Sequence, residues 1–80
     1  MKAKDRNLIK IGNNIKKIRK KEKLSQEELA FKAGLHRTYI GSVERGEKNI
    51  TILNLIKIAK SLNTDLIMLL DLDGKDDKNE

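Results

Sequence analysis

Leu8, Ile11, Ile15 and Ile18 recur at steps of three and four residues, while Lys16, Lys17, Lys20 and Lys21 occupy the other positions of the same stretch. A single apolar stripe with a period near 3.6 predicts an amphipathic helix over about residues 8–22. Ser25 followed by Glu28 has the spacing of a capping box, in which each side chain satisfies a backbone N–H that the first turn leaves free, so a second helix is expected to start at Gln26. Leu29, Ala30 and Ala33 mark its apolar face, and Gly34 supplies a residue that tolerates positive φ where it must stop. A third helix is expected to begin near His36 or Arg37 and end around Arg45, with Gly46 as its stop. Thr51 caps a fourth helix running through Leu62. Asn63 and Thr64 interrupt the period before a short fifth helix, Asp65 to Leu70. No segment shows the alternation of a half-buried strand, and the predicted class is all-α.

The stretch Gln26–Arg45, QEELAFKAGLHRTYIGSVER, meets several steric demands at fixed offsets. Ala30 is small where two helices would cross, and Gly34 sits at the turn between them. Leu29, Ala33, Leu35, Ile40 and Val43 are apolar where the pair must pack together and against a third helix. An ordinary helical hairpin needs none of these offsets in combination. A helix-turn-helix needs all of them, because its first helix must cross the DNA backbone while the second enters the major groove.

The last two helices carry more apolar residues than one helix face holds. Leu55, Ile58, Ala59, Leu62, Leu66 and Leu69 are expected in the core. Leu53, Ile67, Met68, Leu70 and Leu72 are then candidates for contact with a second copy across a two-fold axis. Eighty residues form one domain burying only about sixty per cent of its unfolded surface, a size at which dimerisation adds useful stability. Residues 1–70 are read as a DNA-binding and dimerisation domain and the acidic end, 71–80, as a disordered solubilising tail.

Charge sharpens the picture. The chain carries +6 in total, but residues 1–70 hold sixteen basic and seven acidic side chains, a balance of +9. Such an excess favours a polyanion, because neutralising phosphates releases counterions. With only Phe31 and Tyr39 as aromatics, a base-stacking RNA surface is disfavoured. Cysteine is absent and His36 is the sole histidine, which argues against a thiolate or zinc site and against nucleophilic catalysis; no cofactor is expected. No long apolar run suggests a signal peptide or membrane span, so a soluble, cytoplasmic protein is expected.

From Ile11 to about Leu70 the sequence resembles the Cro and phage-repressor family of DNA-binding domains, which implies a five-helix, lambda-repressor-like fold. LSQEELAFKAGLHRTYIGSVERGEKNIT is similar, more closely, to the controller proteins of bacterial restriction-modification systems, above all in HRTYIGSVERGEKNI. That resemblance implies a homodimer on pseudo-palindromic double-stranded operators beside its own gene, activating that gene and a restriction endonuclease gene at low occupancy and repressing at high occupancy. The same domain also serves as a prophage repressor or as an antitoxin with a toxin-binding surface.

Roles for individual residues follow from the motif and from the resemblance. Arg37 and Thr38 open the recognition helix, where side chains reach base edges; Arg37 is the candidate for a bidentate contact with guanine. Ser42 falls one turn later, and His36 is a candidate cap, phosphate ligand or base reader. Tyr39 combines core packing with a phosphate-facing hydroxyl, and Arg45, Lys48 and Asn49 would flank the backbone after the helix. The resemblance adds Gln26 as a phosphate grip, Arg19 and Glu44 as a partly buried salt bridge, and Glu27 as a contact for RNA polymerase.

Overall fold

The computed structural model describes residues 5–73, and the statements below concern these. Five helices follow one another, with no strand among the described residues: α1 (Arg6–Lys21), α2 (Gln26–Ala33), α3 (Arg37–Glu44), α4 (Ile52–Ser61) and α5 (Leu66–Leu69). The expected all-α architecture with a helix-turn-helix is present. α1 begins two residues earlier than its apolar stripe suggests, because the Asp5 carboxylate accepts from the backbone N–H groups of Asn7 and Leu8. Such a cap satisfies donors that a free helix end leaves unpaired and favours the positive end of the helix dipole.

The Ser25–Glu28 capping box is formed in both directions: Ser25 Oγ accepts from the Glu28 N–H at 2.9 Å, and Glu28 Oε1 accepts from the Ser25 N–H at 2.8 Å. Gly34 closes α2 at φ 70°, in the left-handed region. Thr51 caps α4 by accepting from the Asn54 N–H. The fifth helix is one turn, with Asp65 and Leu70 as its flanking residues and not its members.

Ile15, Leu29, Ile40, Ile58, Leu62 and Leu69 are fully buried, one or more from each helix or its cap, so a single core joins all five elements. α2 packs on α3 and α4, while α1 packs on α3 and α5. Gly12 makes the α1–α3 approach possible: a Cβ there would lie 2.6 Å from the Glu44 carbonyl oxygen and closer still to that of Val43.

The end of the described chain is held against α1. Lys10 Nζ donates to the Leu72 carbonyl at 2.6 Å, and Asn14 Nδ2 donates to the carbonyls of Leu69 and Asp71 at 3.0 and 2.9 Å. The tail expected over residues 71–80 is therefore tied down at its root, and from residue 74 onward it lies outside the described residues. Leu66, placed in the core by its spacing, is half-buried against it.

Candidate nucleic-acid interface

α2 and α3 are joined by three residues, Gly34–His36, which let the chain reverse and leave the first turn of α3 open to solvent. Arg37 and Thr38, expected to read bases, are both exposed there. His36 is the residue flanking α3 and is exposed, but its side chain makes no capping hydrogen bond. Arg37 shares one open hollow with Arg19, Ser25, Gln26 and Glu27, so the start of α3 and the amino end of α2 face the same solvent space.

Ser42 lies differently from its expected place among the base readers. It is 8% exposed, and its hydroxyl donates to the Tyr39 carbonyl at 2.9 Å, one turn back on the same helix. Short hydroxyl side chains commonly make this back-bond within a helix, and here it turns the group inward. Tyr39 is half-buried, and its hydroxyl accepts from Asn54 Nδ2 at 3.0 Å. The bond ties α3 to α4 and leaves the phenolic proton available to a further acceptor. Nothing local in the sequence marks Asn54 as a partner for a residue fifteen positions earlier.

Arg45, Lys48 and Asn49 are exposed in and around the loop after α3. Arg45 Nε pairs with Glu47 at 3.1 Å, an exposed contact that contributes little to stability.

Beneath this surface lies a buried charge network. Arg19 Nε and Nη2 donate to the two Glu44 carboxylate oxygens at 2.6 and 3.0 Å, and Arg19 Nη1 donates to the Leu24 carbonyl at 2.8 Å. The two side chains are 9% and 2% exposed. This bidentate pair joins α1 to the end of α3, and removing one partner of such a pair costs about 3–5 kcal/mol because the other charge is left buried. Glu44 Oε1 also accepts from Gln26 Nε2 at 3.0 Å, so the network reaches the amino end of α2. The ion pair is the expected one; its extension to Gln26 is not apparent from the residue pattern.

Of the residues expected at a dimer contact, Leu53, Ile67 and Met68 are exposed by 68%, 73% and 55%. Ile52, at 54%, joins them although its position did not single it out. Leu70 and Leu72 are half-buried and pack on the chain's own core, so part of their apolar surface is already covered. Phe31 stands apart on α2, exposed by 88%, in a hollow lined by Leu24, Glu27, Glu28 and Lys32.

A short helix crossing behind a second, whose solvent-open first turn carries Arg and Thr beside a cationic rim, defines a helix-turn-helix DNA-binding protein. Residues 15–69 match the helix-turn-helix family HTH_3, and the chain belongs to that family. It is 51% identical over 70 residues to Control protein C.SmaI of Serratia marcescens, covering 88% of this chain and 81% of the relative. Among solved structures, the restriction-modification controller protein C.AhdI from Aeromonas hydrophila superposes with a TM-score of 0.76 at 42% identity, over 78% of this chain and 94% of that one. The biofilm regulator SinR in complex with DNA superposes with a TM-score of 0.73 at 40% identity, over 76% and 98%. The chain is a DNA-binding transcriptional regulator and not an enzyme. Among the described residues no helix is long and apolar enough to cross a membrane.

Proposed function

We propose that this regulator is a restriction-modification controller: a cytoplasmic homodimer that binds a pseudo-palindromic operator beside its own gene. It activates that gene and a nuclease gene at low occupancy and represses at high occupancy. The observation that carries the reading is the open first turn of α3, with Arg37 and Thr38 exposed beside Gln26, in a chain half identical to a named control protein. Arg37 and Thr38 contact base edges, with His36 at their margin. Gln26, Tyr39, Arg45, Lys48 and Asn49 hold phosphates. Residues 1–70 form the binding and dimerisation unit, and the acidic residues 71–80 keep it soluble.

Glu27 is the contact for RNA polymerase in this reading. It is exposed, and the neighbouring Phe31 offers the apolar side chain that a protein contact uses.

The test is a gel-shift titration of DNA from upstream of the chain's own gene, against scrambled competitor and at two salt concentrations, joined to a reporter assay of the same promoter. Stepwise specific complexes, one dimer and then two, with activation that turns to repression as dose rises, are the expected result. Glu27→Lys should keep the gel shift and lose activation. Binding that scrambled DNA abolishes overturns operator control and favours an antitoxin whose main partner is a protein; intact activation by Glu27→Lys removes the polymerase contact alone.

A further inference from the structure

The amide of Gln26 can face a phosphate in two ways, and only one is attractive. A phosphate oxygen accepts hydrogen bonds and cannot donate, so the N–H side of the amide binds it and the carbonyl side repels it. A glutamine with no internal partner interconverts the two by a turn about its last bond. In this structure the choice is made from behind. Both Glu44 carboxylate oxygens accept from the paired Arg19 guanidinium, and Oε1 also accepts from Gln26 Nε2 at 3.0 Å. An acceptor-only partner excludes the flipped amide.

With Nε2 fixed on Glu44, Gln26 Oε1 is turned toward Gly41. A Cβ on Gly41 would lie 3.4 Å from that oxygen and 3.2 Å from Arg45 Nη1. The amide oxygen thus lies in the space it shares with a guanidinium, whose donors suit it, and the Nε2 hydrogen not given to Glu44 is the amide donor left for a phosphate. Gly41, having no side chain, leaves room for both groups above α3.

We propose that Glu44 is a positioning residue for DNA binding: it sets the orientation of the Gln26 amide so that its N–H side meets the phosphate, in addition to holding α1 to α3 through Arg19. The inference rests on the reading of Gln26 as a phosphate contact. It makes operator affinity depend on a buried carboxylate that never touches DNA.

A double-mutant cycle on operator affinity tests it, using duplex from upstream of the chain's own gene and temperatures at which circular dichroism shows each variant folded. Gln26→Ala should weaken binding by roughly threefold to tenfold, the size of one net hydrogen bond. Glu44→Gln should weaken binding in the native background by a similar factor and leave Gln26→Ala almost unchanged. Independent losses in both backgrounds overturn the positioning role, since a purely structural effect of Glu44 is the same whether residue 26 is Gln or Ala. An unaltered affinity for Gln26→Ala instead overturns the phosphate contact itself.

Should Glu44→Gln fail to fold, the native protein still decides the question. The side-chain amide resonances of Gln26, assigned by their loss in Gln26→Ala, should show one proton shifted downfield and slow to exchange, both free and in the operator complex. Two protons at the shifts of an exposed glutamine amide, exchanging as fast as one, would overturn the proposal.

Discussion

Arg37 and Lys48 are both exposed cations, yet under the proposed function, which gives Arg37 to base edges and Lys48 to the backbone, their substitution should read out differently. Arg37→Ala is expected to lower operator affinity by about 1–3 kcal/mol while affinity for scrambled duplex falls little, since a bidentate Arg–guanine contact discriminates by that amount. Lys48→Ala should weaken both duplexes alike and reduce the log–log salt slope by about 0.9. Binding curves for the two variants on both duplexes at several salt concentrations check this; equal losses for Arg37→Ala on both would make Arg37 a phosphate contact. At this scale the exposure of Arg37 and Thr38 was legible because position in the first turn of α3 follows from counting along the motif. Ser42 was not, because the same counting cannot tell a hydroxyl that points to the groove from one turned back to its own helix, as its bond to Tyr39 is.

Between elements, legibility depended on distance along the chain. The starts of α2 and α4 were evident in the sequence because their caps, Ser25 with Glu28 and Thr51, act within three residues. The true start of α1 was hidden, since Arg6 and Asn7 add no apolar period and only the Asp5 carboxylate places them in the helix. Gly12 is the clearest case of information that is not local. Inside a helical stripe it reads as a weak point costing about 1 kcal/mol relative to Ala. In the fold it is the contact surface of α1, pressed on the Val43 and Glu44 carbonyls, which are backbone atoms and cannot rotate away. Gly12→Ala should therefore destabilise the protein despite the better helix propensity, by about 1–3 kcal/mol as overpacking does. Urea unfolding followed by circular dichroism measures the sign, and a more stable Gly12→Ala protein would mean that α1 is free to shift away from α3.

At the scale of the whole molecule, the proposed homodimer accounts together for the exposed first turn of α3 and the exposed apolar residues of α4 and α5. A single recognition helix covers only a few base pairs, and the described residues hold no second one. Two copies related by a two-fold axis present two such helices to half-sites about 34 Å apart, one turn of the duplex. On α4 and α5, Ile52, Leu53, Ile67 and Met68 are the side chains available to join them: they are large, apolar and more than half exposed, whereas Leu70 and Leu72 beside them are partly covered by the chain's own core. Because they contribute little to the monomer's core, replacing them should separate dimerisation from folding. Leu53→Lys combined with Ile67→Lys is expected to keep native helicity and a cooperative thermal transition while sedimenting at half the mass of the native protein at micromolar concentration. The same protein should bind an operator half-site as before and lose the tight complex with the full operator, since the energy of the second half-site is then no longer shared. If the native chain sediments as a monomer, or the double variant remains a dimer, the copies meet elsewhere, and the half-covered Leu70 and Leu72 become the next surface to substitute.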